Sequence, residues 1–207
     1  MDRARVTRRR FLLIAGGALG ASALACGGLT ALATQQPGIE IELTESTYGE
    51  ENTMNGRILV AYASQHGATA GVADAIGKTL AEGGAAVDVR PVKEAKDLSA
   101  YRAVVVGSAI HGGKWMPEAM QFVQGHQSEL NRIPTAIFLV CMMLASSTSP
   151  YRSQVAGWLQ PVRWLVRPVA EGLFAGALLY NKYGFAEGLG MRIFGAAIKV
   201  GEGDYRD

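Results

Sequence analysis

Residues 58–80 read ILVAYASQHGATAGVADAIGKTL. The run Ile58-Leu59-Val60-Ala61-Tyr62 is short, apolar and partly β-branched, the composition of a strand buried on both faces of a parallel sheet. It gives way abruptly to Ser64-Gln65-His66-Gly67-Ala68-Thr69, which is small, hydroxyl-bearing and free of acids, lysine and arginine. From Thr69 to Glu82 the apolar positions Val72, Ala73, Ile76 and Leu80 recur at helical spacing, and Gly83-Gly84 closes the pattern.

The alternation continues downstream. AAVDVRPV (85–92) predicts a second strand and AVVVGSAI (103–110) a third of the buried kind; TAIFLVCMML (135–144) predicts a fourth and GLFAGAL (172–178) a fifth. Pro117 opens a helix running to Gly125, where its missing N–H costs nothing. Alternating β and α elements imply right-handed crossovers, hence a doubly wound α/β domain with a five-stranded parallel sheet covered by helices on both faces. Ligands of such folds bind outside the carboxyl ends of the strands, which directs attention to the loops after the first, third and fourth strands.

In the first of these loops, hydroxyls at Ser64 and Thr69 and the free N–H groups of a helix N-terminus can surround a phosphate, and Gly67 lets the backbone approach it. This loop, Ser64 to Thr69, holds no lysine, no Gly-Lys-Ser/Thr and no triply spaced glycines, so neither an ATP-type nor a dinucleotide fingerprint is met there. A neutral cradle suits the monoester of a mononucleotide; the plainer alternative is a capping hydroxyl beside a tight turn. The second loop is Ser108-Ala109-Ile110-His111-Gly112-Gly113-Lys114-Trp115, where small residues and paired glycines admit a flat ligand and Trp115 can stack on it or close the rim. The third begins at Cys141-Met142-Met143-Leu144.

With 207 residues, half of them apolar, the chain is expected to build one main core. The net charge of +2 conceals five arginines among the first ten residues, which leave the rest slightly acidic and speak against a nucleic-acid partner. TRRRFLLIAGGALGASALACGGLTALAT (7–34) has a basic start followed by a long uncharged run, the layout of an export signal or membrane anchor, and Arg8-Arg9-Arg10-Phe11-Leu12 resembles a twin-arginine signal. Residues 1–34 are therefore read as leader, 35–56 as a polar linker and 57–207 as the folded domain, exported and held at the outer face of the membrane by a retained segment or by lipid at Cys26. Cleavage after Ala31-Leu32-Ala33 is the other outcome.

The three histidines, His66, His111 and His126, lack metal-ligand spacing, and Cys141 reads as a small buried hydrophobe. The segments 151–168, with Trp158 and Trp164, and 185–200, with Arg192 and Lys199, read as core helices with solvated basic flanks; contact with lipid headgroups or guidance of a membrane quinone is their second reading.

ILVAYASQHGATAGVADAIG, VVVGSAIHGGKWMPEA and the closing GLFAGALLYNKYGF…GEGDYRD resemble the flavodoxin-like domain of the menaquinone-dependent protoporphyrinogen oxidase type, over essentially all of 57–207. The resemblance implies the strand order 2-1-3-4-5 and noncovalent FMN, its phosphate at Ser64, Gln65, His66, Gly67, Ala68 and Thr69. The ring would lie between Ser108–Trp115 and the loop from Cys141. It further implies amides near Gly112 and Gly113 at the ring edge and Lys114 as a balancing charge. The expected function is an FMN-binding oxidoreductase passing electrons between a reduced donor and a quinone or redox protein. The alternatives are a one-electron carrier without a small-molecule substrate and a membrane-bound interaction domain whose flavin site has decayed.

Overall fold

The computed structural model describes residues 44–49, 56–145 and 150–206, all within one compact unit, Glu40–Asp207. The leader and the segment 50–55 lie outside the described residues. In chain order the elements are β1 (Ser46–Tyr48), β2 (Arg57–Ala63), α1 (Ala68–Glu82), β3 (Val87–Pro91), β4 (Tyr101–His111), β5 (Lys114–Trp115), α2 (Pro117–Gly125), α3 (Gln127–Leu130) and β6 (Thr135–Val140). They continue with α4 (Arg152–Gly157), α5 (Gln160–Arg163), β7 (Ala170–Phe174), β8 (Ala177–Leu178), α6 (Phe185–Ile198) and β9 (Gly203–Asp204).

The main sheet runs β1-β3-β2-β4-β6-β7. β3, β2, β4, β6 and β7 are parallel neighbours, the order 2-1-3-4-5 expected for a flavodoxin-like sheet. From Ile58 to Ala63, β2 is buried at every position, as a central strand with both faces covered must be. One apolar layer joins Leu59, Ala61 and Val106 to Phe122, Val123, Leu159 and Val162. The other joins Val60 and Tyr62 to Val72 and Ala73 of α1.

Beyond shifts of one or two residues at the ends of the second and third strands, three boundaries differ from the sequence reading. Ser46–Tyr48, inside the segment read as linker, is an edge strand antiparallel to β3, with Thr47 opposite Asp88. Its polar side chains obscured it, because they form hydrogen bonds: Thr47 Oγ1 donates to Asp88 (2.9 Å) and Ser46 Oγ to Asp74 (2.9 Å). The fourth strand ends at Val140, since Met142–Leu144 turns into a 3₁₀ segment. The fifth starts earlier, at Ala170, and β8 then pairs with β9 in a separate two-stranded sheet.

Gly107 lies under the ring of Phe138; a Cβ there would stand 1.9 Å from Cζ, so only glycine lets β4 and β6 pack at this point. Away from the strand carboxyl ends, Asp88 ties four strands together. Its carboxylate accepts from Arg57 Nε (2.8 Å) and Nη2 (2.9 Å), from Thr47 and from the Tyr101 hydroxyl (3.2 Å). Burial raises the Asp88 pKa, but these donors outweigh it and hold the carboxyl below its ordinary value. A carboxyl so depressed contributes stability above its unfolded pKa, and that contribution disappears as pH falls through the folded one. Asp88→Asn is expected to cost about 1–3 kcal/mol at pH 7 in urea unfolding and to flatten the loss of stability that the native chain shows below about pH 4.

Candidate functional site

β2 ends where the chain must leave the sheet and start α1, and Gly67 makes that turn with φ of 83° in the left-handed region. The Gly67 N–H donates to Ser64 Oγ (3.1 Å), closing the loop on itself. No side chain caps α1, and its first turn holds no acid. Its leading N–H groups therefore converge without a side-chain acceptor, beside Thr69, whose hydroxyl is buried and has no hydrogen-bond partner. A buried orphan hydroxyl at an uncapped helix N-terminus is a seat for an anion.

A cavity of about 710 Å³ opens from this loop. Ser64, Gln65, His66, Ala68 and Thr69 line it from the first loop; Ala109, Ile110, His111, Gly112, Gly113 and Lys114 from the second; Cys141, Met142 and Met143 from the third. The three loops that the topology singled out thus share one hollow. Gly67 faces a small adjoining recess with Arg206 instead.

Three residues chosen from the sequence lie away from the cavity. Trp115 pairs with Ile110 across the β4–β5 hairpin, and this register turns its ring into the core, where it is 5% exposed. Ser108 is wholly buried and structural: its hydroxyl accepts from the Met116 N–H (2.9 Å) and donates to the Ala109 carbonyl (2.7 Å). Leu144 packs in the core at the end of the 3₁₀ segment.

The paired glycines prove to be the hairpin turn itself. His111 pairs with Lys114 around them, and Gly112 and Gly113 have φ of 55° and 76°, the two positive values that a tight hairpin of native twist requires. Against Gly113 lies Trp158, its ring 3.2 Å from where a Cβ would stand. The aromatic wall of the cavity is therefore Trp158, from the end of α4, rather than Trp115.

The far wall comes from residues that sequence reasoning did not assign to the site. Tyr183, Glu187, Met191 and Phe194 line the cavity from α6 and the turn before it. His66 connects this wall to the first loop: Nε2 lies 3.0 Å from the Glu187 carboxylate, Nδ1 lies 3.1 Å from the Lys182 carbonyl, and the ring rests 4.3 Å from that of Tyr183. Both neighbours are acceptors, so either ring nitrogen has a partner here when it carries a proton. Spacings of more than a hundred residues left no local signal for this clasp.

Electrostatics at the cavity are mild. Burial and then the nearby His66 lower the His111 pKa. Burial raises the Cys141 thiol, so no thiolate faces the cavity at neutral pH. The Tyr183 phenol is raised by burial and next by Glu187.

Residues 59–204 match the Flavodoxin domain family model. The chain belongs to the flavodoxin domain family. It is 30% identical over 135 residues to a protoporphyrinogen IX dehydrogenase (quinone) of Leishmania major, a match covering 62% of this chain and 58% of that protein. A protein of the same name from Escherichia coli K12 is 29% identical over 132 residues, covering 61% of this chain and 72% of the relative. Among solved structures, oxidised Flavodoxin 2 from Bacillus cereus is 23% identical, with 69% of this chain and 97% of that one covered and a TM-score of 0.43. Family membership makes a flavin the group expected in the cavity. The residues present fit one: an anion seat at Thr69, small residues and glycines in the second loop, and the indole of Trp158 on a wall.

Gly113→Ala forces a side chain into a left-handed position and against an indole. The expected result is a loss of about 1–2 kcal/mol in stability, with a shift in the part of the tryptophan emission that Trp158→Phe removes.

Proposed function

We propose that the chain binds FMN in this cavity and works as an oxidoreductase tethered at the outer face of a membrane. In this reading a reduced donor loses two electrons and two protons, and a quinone takes up the same number. The Thr69 hydroxyl carries the reading, because it is buried, without a partner, and placed among the uncapped N–H groups of α1. A phosphate monoester would give each of these donors an acceptor, with the helix dipole in place of the lysine that the loop lacks.

Bound FMN would supply the two-electron chemistry of the reaction. Ser64, Thr69 and the amides of the first loop would hold the phosphate. Trp158, Met142, Met143 and the Gly112–Gly113 turn offer walls for the ring, and exposed Lys114 sets a positive charge at the rim. His66, held by Glu187 and the Lys182 carbonyl, fixes the first loop to α6 and so keeps the cavity walls in register. The names of the relatives support the donor and acceptor classes, and the basic leader with its uncharged run supports the tether.

The test is an absorption spectrum of the native protein followed by titration with FMN and with riboflavin. FMN is expected to bind more tightly than riboflavin. Thr69→Val should weaken FMN about ten- to a hundredfold, the worth of one hydrogen bond to a charged group, and leave riboflavin unchanged. Failure to bind FMN at all would sink the proposal. Two well-separated one-electron waves in a potentiometric titration would move the chain to the carrier class.

A further inference from the structure

The helix α6 is apolar on two sides. Positions 187, 191, 194 and 198 lie on one face at helical spacing; Glu187, Met191 and Phe194 of this set line the cavity. Leu189, Ile193, Ala196 and Ala197 lie on the other face, and all four are exposed, Leu189 by 53% and Ile193 by 66%. Large apolar side chains exposed on a face that the cavity does not use call for cover of their own.

The charges around the outer face select its partner. Exposed Arg192 and Lys199 flank it, and the Arg192 guanidinium lies 4.8 Å from the centre of the Tyr180 ring, poised beside the helix. Of the acids nearby, Glu187 pairs with His66 on the cavity side, and Glu202 accepts from the Tyr180 N–H (3.1 Å). Apolar side chains bordered by cations and an aromatic ring match the boundary between acyl chains and anionic headgroups. Fourteen residues span about 21 Å, short of the roughly 30 Å of a hydrocarbon core. Among the described residues, no helix is long and apolar enough to cross a membrane. An exposed apolar face with basic side chains beside it suits a position along the interface plane.

We infer that α6 docks flat on an anionic phospholipid surface through Leu189, Ile193, Ala196 and Ala197, with Arg192 and Lys199 at the headgroups. Because Met191 and Phe194 of the same helix wall the cavity, docking sets that wall against the lipid phase, where an apolar ring compound is concentrated. The consequence for a quinone rests on the function proposed above, whereas the docking itself needs neither flavin nor quinone.

The test uses the full chain carrying Cys26→Ser, spin-labelled at Leu189→Cys, at Ile193→Cys or, as a solvent control, at Glu82→Cys in the last turn of α1. The label signal of the Cys26→Ser parent serves as background for buried Cys141. Each protein is bound to phosphatidylcholine vesicles with and without phosphatidylglycerol, and cosedimentation reports binding separately from depth. On phosphatidylglycerol vesicles, labels at 189 and 193 should change from nickel-chelate-accessible to oxygen-accessible, while the label at 82 stays in water. Arg192→Gln combined with Lys199→Gln should remove the change while the chain still pellets. Labels at 189 and 193 that stay aqueous on pelleted vesicles would overturn the inference. Failure to pellet would do the same, as would label–label broadening at 193 without lipid, which would assign the face to a second copy of the chain.

Discussion

The uncapped N-terminus of α1 is the constraint on which the rest of the site depends. A helix that begins directly after a buried strand must dispose of several N–H groups, and here neither a capping side chain nor an acid receives them. Ser64 is occupied by the Gly67 N–H, and the Thr69 hydroxyl is buried without a partner. The fold thus maintains a donor-rich corner at the carboxyl edge of its central strand. That corner is tolerable because it opens into a cavity instead of being sealed in the core.

Around that corner the sheet provides rigidity and the connections provide shape. β2 and β4 are fixed by parallel pairing on both sides, and the Asp88 network locks the other end of the strands. The sheet thus sets where each loop at the carboxyl ends begins, and bonds such as Gly67 N–H to Ser64 Oγ then shape it. The hairpin at Gly112–Gly113 shows how tightly this works: its register sends Trp115 inward and leaves Lys114 at the cavity, with Trp158 packed over the turn. The outer wall is different in kind. His66 joins the first loop to Glu187 of α6 and to the Lys182 carbonyl before it, and α6 exposes Leu189 and Ile193 on its outer face.

These features give the chain a consistent physical division of labour. The parallel sheet supplies a stiff base, the neutral loop binds by amides and hydroxyls, and the cavity walls contribute shape and apolar contact with few charges. Among the described residues that line the cavity, none form an acid–base triad; the reactive character proposed for the site belongs to the bound group, and the protein's share is orientation and exclusion of water.

The strand periods, the glycines that end the helices and the neutral loop after the first strand were legible because they rest on local chemistry: alternation, φ at Gly67, and the need of a buried strand to be apolar. These determined the doubly wound class and directed attention to the three loops that share the cavity. Which side chains face it was decided by pairing and by distant segments. Trp115 and Ser108 turned inward through the hairpin register. Trp158, Tyr183, Glu187 and Met191 arrived from helices and turns far along the chain, and Ser46–Tyr48 pairs along β3, where Asp88 and Asp74 receive its hydroxyls. A local pattern records how a segment must fold, whereas the contents of a cavity depend on which segments meet, and that is settled only when the sheet has formed.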